Sequence, residues 1–430
     1  NVFKTSKMKR LLPVLLMVAA SFKVSPSVSQ TTKTFTLEDC YQFAKENYPL
    51  IRQRELITKS KELSIQNIAN GFLPQINFMG QASYQSAVTK IPIKIPGMNV
   101  PELSKDQYKV YGEVTQSIYD GGLIKEQKKL QEANSMVEDQ QLEVELYTLK
   151  ERINQLFFGV LLVNERLQQN DLLKKDIEAG LNKTKAAIEY GTALKSSADV
   201  LKAELLNADQ HAIELRAFRA AYLKMLGLFI NQSLDENVKL ITPQSKPISQ
   251  EIQRPELLLF NSRQKAFEAQ KNIISAKNRP KFGLFFQGGI GRPGLDFLSN
   301  SLDPYYIGGI RLSWPLSGLY NAKNDRALLE NSHKNIDIQR ETFLFNTNLS
   351  LNQETEEINK LKALLQSDND IIELRTNVKN TALGQLENGV ITSNDYIREV
   401  DAEDMARQNK SLHEIQLLLA EYNQQVTSGN

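Results

Sequence analysis

The stretch QYKVYGEVTQSIYDGGL, residues 107–123, decides the fold. Across Gln107–Tyr119, Tyr108, Val110, Val114 and Ile118 fall on one side of an extended chain. Lys109, Glu113, Thr115 and Ser117 fall on the other. Successive side chains of a strand point to opposite faces, and about ten residues is the span of a tilted transmembrane strand. Asp120-Gly121-Gly122 then punctuates the chain. A helix of about 100 Å, at 1.5 Å per residue, follows from about Leu123 to Tyr190.

The same order of elements occurs twice, and an internal repeat has to be recognised before the fold is assigned. In the first copy Gln75–Tyr84 precedes the strand just described: Ile76, Phe78, Gly80, Ala82 and Tyr84 share a face opposite Gln75, Asn77, Gln81 and Ser83. Ile91–Pro101, with its prolines, reads as the loop between the two strands. In the second copy the strands are Phe282–Ile290 and Tyr305–Trp314, joined by the Gly/Pro/Asp-rich segment Gly291–Pro304. The second long helix runs from about Tyr320 to Asn388. Helices at about Thr36–Asn70 and Arg254–Lys277 precede the two strand pairs. Thr36 is placed as an N-cap before Glu38 and Asp39, and Pro255 lies in a first helical turn. An ordinary one-sided antiparallel sheet shows the same alternation, so the strands alone do not establish a membrane. Tyr108, Tyr119, Tyr305, Tyr306 and Trp314 near strand ends fit the aromatic belts of a membrane interface.

Within the first long helix, Leu142, Leu146, Leu149, Ile153, Leu156, Val160, Val163 and Leu167 follow a 4-3 spacing. That heptad pattern marks coiled-coil packing. Ile358, Leu361, Leu365 and Ile372 keep a similar spacing in the second. Gly191 and Gly389 interrupt the helices in matching contexts, Glu189-Tyr190-Gly191 and Glu387-Asn388-Gly389, as left-handed stops before returning helices. Taken singly, each turn reads as a plain helical hairpin. The helix before the strands and the returning helix together nearly equal the length of the long helix. Two short helices stacked end to end therefore lie beside one long one, with strands at one pole and glycine turns at the other.

Bulk composition excludes several function classes. Among 430 residues, 52 Lys plus Arg balance 50 Asp plus Glu, so no net field recruits nucleic acid. Charge at 24% and apolar residues at 41% suit a folded chain. Cys40 is the lone cysteine, and His211, His333 and His413 are dispersed, so no metal or thiol motif is present. His211 and His413 read as solvated helix positions. No catalytic, cofactor-binding or metal residues are assigned, and Gly288-Gly289-Ile290-Gly291 lacks the spacing and following helix of a nucleotide site.

Residues 1–29 read as a signal peptide: Lys7, Lys9 and Arg10, the apolar run Leu11–Ala20, then small residues at Ser27 and Ser29. Met8 reads as the start, leaving 1–7 as upstream sequence. No later stretch approaches the roughly 18 apolar residues of a transmembrane helix, so membrane insertion requires a β-barrel. Four strands cannot close one, since bacterial barrels have about eight or more. Closure therefore requires several copies.

Together, these residues resemble the TolC-type outer-membrane factors across nearly the whole mature chain. The resemblance rests on Thr36-Leu37-Glu38-Asp39, Gly71-Phe72-Leu73-Pro74 and, most specifically, Gln116-Ser117-Ile118-Tyr119-Asp120-Gly121-Gly122. A degenerate second copy, Ser313-Trp314-Pro315-Leu316-Ser317-Gly318, and the two glycine tips complete it. It implies a mixed α and membrane-β fold, built as a homotrimeric 12-stranded β-barrel continuous with a long periplasmic α-helical barrel. The expected organisation is a first repeat at 30–230, a linker or equatorial segment at 231–252 and a second repeat at 253–430. The implied role is passive conduction in a tripartite efflux or type I secretion system. Its partners would be a periplasmic adaptor (membrane fusion) protein, an inner-membrane transporter of RND or ABC type, and outer-membrane lipid.

By the same resemblance, Gly191, Thr192, Gly389 and Val390 match the tip turns that meet the adaptor, and Asp199 and Asp395 match tip aspartates of the closed constriction. The chain departs from the family's pattern at Arg398, where a second aspartate is usual. It departs again at Leu386 and Ile391, which replace a tyrosine and an arginine of the closed-state lock. Asp395 with Arg398 also fits an intrahelical ion pair. Asp199 is followed at i+3 by Lys202, and the two tip turns read as unequal in length. The alternative reading is a secreted coiled-coil structural or adhesive protein whose hairpins cap a bundle. A periplasmic binding protein or enzyme would need a polar pocket that the sequence does not offer.

Overall fold

The computed structural model describes residues 33–89, 103–245 and 251–430. The expected signal peptide, the loop Ile91–Pro101 and part of the 231–252 linker lie outside the described residues. The chain opens with a two-residue strand β1 (Thr34–Phe35), then α1 (Leu37–Asn47), a 3-10 turn (Pro49–Arg52) and α2 (Gln53–Ala69). The hairpin β2 (Gln75–Tyr84) and β3 (Asp106–Tyr119) leads into α3 (Leu123–Tyr147), α4 (Leu149–Glu189) and the returning α5 (Lys195–Ile230). After β4 (Lys239–Leu240) the order recurs as α6 (Pro255–Lys277), β5 (Lys281–Arg292), β6 (Asp303–Ser313), α7 (Gly318–Glu387) and α8 (Ser393–Ser428).

Two expected helices are interrupted. The single helix expected over Thr36–Asn70 breaks at Tyr48, which is extended at φ −62° and ψ 131°. Pro49 follows, and a residue before proline is pushed out of the helical region. Its start is as expected: the Thr36 hydroxyl accepts from the Asp39 N–H at 3.1 Å and the Asp39 carboxylate accepts from the Thr36 N–H at 2.9 Å, a reciprocal capping box. The first long helix is interrupted at Thr148, whose hydroxyl donates to the Glu145 carbonyl at 2.8 Å and competes with the helix ladder.

The junction of strand and helix explains the Asp120-Gly121-Gly122 motif. Both glycines are left-handed, at φ 76° and 81°, a region that favours glycine. A Cβ on Gly121 would lie 2.9 Å from the Ala276 carbonyl. The turn directs the Asp120 carboxylate to accept from the N–H groups of Gly122 (2.9 Å) and Ile124 (2.6 Å), satisfying donors that a helix start leaves open.

The helices form four adjacent strips. Next to the sheet, α2 packs on α3, α3 on α6 and α6 on α7; farther away, α5 packs on α4, α4 on α8 and α8 on α7. The short helices thus stack beside the long ones, as their lengths imply. Two separate apolar clusters hold the strips together. The larger, at the equator, joins Leu37, Cys40, Leu142, Ile153, Phe157, Phe158 and Ile230, and the smaller, near the tip, joins Ile177, Leu181, Leu201, Leu386 and Tyr396. The heptad residues Leu142, Leu146, Leu149, Ile153, Val160 and Val163 are buried, and so are Phe157, Phe158 and Leu161 between them. A strict seam serves one partner, whereas α4 meets α1, α5, α7 and α8. The short parallel pair β1–β4, with Phe35 opposite Leu240, ties the start of the chain to the equator. Two residues carry no periodicity, so the sequence left this pair invisible.

Candidate functional site: a two-faced sheet and a helical tip

The four long strands make one antiparallel sheet in the order β2-β3-β5-β6. Register aligns Phe78 with Gly112 and Gly288, and Ile76 with Val114, Phe286 and Gly308. One face is therefore apolar on all four strands, and it is open: Phe78 is 82% exposed and Ile310 73%. The opposite face is polar. Glu113, buried on β3, accepts from Arg311 on β6 at 3.0 Å, and Arg311 stacks over Phe285 at 4.5 Å. Lys109 lies over the rings of Tyr111 (5.1 Å) and Tyr305 (4.9 Å). Tyr305 was expected in an aromatic belt with Tyr306. Strand alternation instead turns it onto the polar face, where it is buried, while Tyr306 is exposed among the apolar residues. Strands β2 and β6 are the two edges.

At the other pole the two turns are built alike. Gly191 (φ 73°) and Gly389 (φ 68°) are left-handed. Thr192 N–H donates to the Ala187 carbonyl at 2.8 Å, and Val390 N–H donates to the Gln385 carbonyl at 2.8 Å. These are the six-to-one bonds of a Schellman stop. The turns span 190–194 and 388–392, equal lengths that correct the expectation of unequal ones. The two aspartates are nonetheless inequivalent. Asp395 is the third residue of α8 and closes a capping box with Thr392 (3.1 and 3.2 Å). Asp199 is the fifth residue of α5, which has no side-chain cap. Hydrogen bonds from the Thr392 hydroxyl and N–H, then the Arg398 charge, hold the Asp395 carboxyl below the usual range.

Four of the sequence-selected residues form ion pairs or caps, and one anticipated pair does not form. Asp199 pairs with Lys202 at 2.9 Å, both largely exposed. The anticipated Asp395–Arg398 pair is absent; Arg398 points to Glu399 at 3.4 Å, because the cap already occupies Asp395. Gly191, Thr192, Leu386, Gly389, Val390, Ile391 and Asp395 line one cleft of about 380 Å³ between the turns, whereas Asp199, Lys202 and Arg398 do not line it. Leu386 belongs to the buried tip cluster and Ile391 packs against it. Tyr190, Leu194 and Val390 stand out as exposed apolar side chains of the tip.

Sequence reasoning missed the polar belt between the apolar clusters. Lys379 of α7, nearly buried, lies 2.7 Å from Asp176 of α4 and 3.6 Å from Glu403 of α8. Glu403 is 3% exposed and also engages Arg407 and the Thr376 hydroxyl. Tyr396, packed over Gly180, donates its hydroxyl to the Asp176 carbonyl at 2.9 Å. Three helices thus converge on Asp176. Asp176 is more than 200 residues from Lys379 and from Tyr396 in sequence, so no local spacing announces their meeting. His413, expected to be solvated, sits 2.7 Å from the buried Asp368.

Asp404 of α8 adds a pH dependence. Burial pushes its carboxyl from 3.8 up to about 6; the Gln408 amide at 2.5 Å and His211 oppose the rise, while Asp401 and Glu403 add to it. A raised carboxyl binds its proton more tightly in the folded chain. Stability therefore falls as pH rises from about 4 to about 6 and stays reduced above that. Asp404→Asn is expected to stabilise the detergent-solubilised protein at pH 7.5 by up to about 2 kcal/mol, with no gain at pH 4. Urea midpoints at both pH values check this, and an unchanged midpoint at pH 7.5 contradicts it.

Among the described residues no helix is long and apolar enough to cross a membrane, and no group of His, Cys, Asp and Glu is placed to hold a metal. No family model matches the sequence, and no curated protein matches it. Solved structures do. The transmembrane channel CusC aligns with a TM-score of 0.66 at 12% identity, over 91% of this chain and 91% of its own. The outer-membrane channel OprN aligns at 0.65 and 12%, covering 91% and 89%. The Campylobacter jejuni CmeC outer membrane channel aligns at 0.61 and 13%, covering 91% and 85%. With strand register, stacked strips and paired tips all accounted for, the chain has the fold of these outer-membrane channel proteins.

Proposed function

We propose that the protein is a TolC-type outer-membrane factor that forms a passive exit channel. Three copies pool their four-stranded sheets into one barrel in the outer membrane, and their helical strips form a tube in the periplasm. Substrates pass from an inner-membrane RND or ABC transporter, through a periplasmic adaptor docked at the tip turns, to the exterior. Residues 30–230 and 253–430 act as the two repeats of each subunit.

The observation that carries this reading is the sheet. Its apolar face is exposed from Phe78 to Ile310, and its edges β2 and β6 end in unpaired backbone. Such a face suits lipid, but open edges in lipid leave polar backbone groups without partners. Copies of the same sheet, joined β2 to β6, remove every edge and bring the strand number to twelve. The outer strips agree: α5 exposes Leu206, Ile213, Phe218 and Leu228, and α7 exposes Leu328, Ile338, Phe345 and Leu374. Large apolar side chains left exposed along both edge helices suit an interface with neighbouring copies.

The test is fractionation and reconstitution. The protein is expected in outer-membrane fractions, as a trimer in detergent, with stepwise conductance in planar bilayers. A water-soluble chain without conductance would support the coiled-coil structural reading instead.

A further inference from the structure

A cavity of about 570 Å³ lies at the equator, away from both the sheet and the tip. It is lined by α1, by the α3–α4 interruption and by the start of α6, with Tyr41, Gln42, Tyr147, Lys150, Ile153 and Leu258 among its walls. Neither α5 nor α7 lines it. Apolar walls from Leu146, Leu149, Ile153 and Leu258 beside charged groups such as Lys150 and Glu143 combine the apolar contact and polar anchors of a small-molecule site.

The charge balance selects the ligand. The Lys150 ammonium lies over the rings of Tyr147 (4.6 Å) and Tyr41 (5.5 Å), and among the described residues no carboxylate pairs with it. Glu143 in the same wall is taken by Lys45 at 2.8 Å and by Arg54, and Glu38 is engaged by a partner of its own. Arg254, held by Glu256, covers the Tyr147 ring at 4.9 Å. Burial, then the charges of Lys45 and Arg254, depress the Lys150 pKa. Such a depression shows an ammonium that a carboxylate would relieve.

We infer that this equatorial cavity binds a small amphiphilic carboxylate, its flat apolar body between Tyr41, Ile153 and Leu258 and its anion on Lys150. The Tyr41 side chain supplies aromatic contact surface, and the anion forms a charge-assisted hydrogen bond with the ammonium. A ligand here touches the joint between α3 and α4, and the inference does not depend on the channel role proposed above.

Calorimetric titration of the full chain in detergent with 2-naphthoate tests it. One site per chain is expected, with 2-naphthamide, the neutral analogue, binding at least tenfold more weakly. Lys150→Gln is expected to lose at least tenfold in naphthoate affinity and to abolish the preference over naphthamide, while Lys150→Arg retains both. Leu258→Trp, at an exposed position of the wall, fills the cavity and should block binding if Lys150→Gln fails to fold. Equal affinity for the two probes, or naphthoate binding unchanged in Lys150→Gln or in Leu258→Trp, overturns the assignment. Conductance without naphthoate binding defeats this inference alone, and binding without conductance defeats the channel proposal alone.

Discussion

Lys379→Met is expected to raise the open probability of the proposed channel at least tenfold. The Lys379 ammonium joins α7 to Asp176 of α4 at 2.7 Å and reaches the buried Glu403 of α8 at 3.6 Å. It is a link between the two helical hairpins just above the tip. Charge-assisted hydrogen bonds of limited exposure contribute about 1.5–3 kcal/mol, and about 1.4 kcal/mol shifts an equilibrium tenfold. If the link belongs to the narrow arrangement of the tip alone, its loss favours the wide one by that factor. Methionine keeps the apolar stem and removes the charge. Glu403 retains Arg407 and the Thr376 hydroxyl, so the variant avoids stranding a buried carboxylate, and wholesale unfolding is not expected. Lys360→Met is the control: it lies on the same helix, more exposed, and pairs within its own turn with Glu357 at 2.6 Å. Single-channel recordings that show no difference between the two variants would remove Lys379 from any gating role.

Ile310→Arg should cut assembly of the proposed outer-membrane trimer at least thirtyfold relative to monomer or degraded chain. Ile310 lies mid-strand on β6, opposite Leu284, on the open apolar face. A guanidinium facing lipid near the bilayer midplane costs about 2–4 kcal/mol in a transmembrane barrel, and three copies carry that cost together. Gln287→Arg is the matched control. Gln287 pairs with Ile307 on the opposite, polar face, where the same charge faces the lumen in the proposed barrel. Heat-modifiable trimer on gels of outer-membrane fractions reads both variants. Equal assembly of the two would mean that the apolar face does not contact lipid.

Much of the architecture was legible because it is periodic. Residues alternating at two, such as Ile76, Phe78 and Gly80, locate strands whose observed ends lie within a few residues of the expected ones. Heptad leucines locate α4, and glycine after Glu189-Tyr190 and Glu387-Asn388 locates the tips. Each signal is a local preference repeated along the chain, and each copy reinforces the other. The helix breaks at Tyr48 and Thr148 were less visible, because one proline or one hydroxyl must outweigh a long helical pattern around it.

The candidate site was less legible than the fold. Asp199 and Asp395 look equivalent as aspartates after matching glycines, yet equal turn lengths leave one at the fifth helical position and the other at the third. Only the third can cap Thr392 reciprocally, and that cap withdraws Asp395 from Arg398. Lys379 has no distinguishing neighbour in sequence; its role comes from Asp176 and Glu403 arriving on two other helices. By itself the sequence determined the strand faces, the strip lengths and the position of the two turns, since these follow from short-range periodicity and backbone preference. Tertiary structure alone decided which charges meet, which aspartate caps, and that Lys150 has no counter-ion among the described residues, because such pairings depend on the packing of helices far apart in the chain.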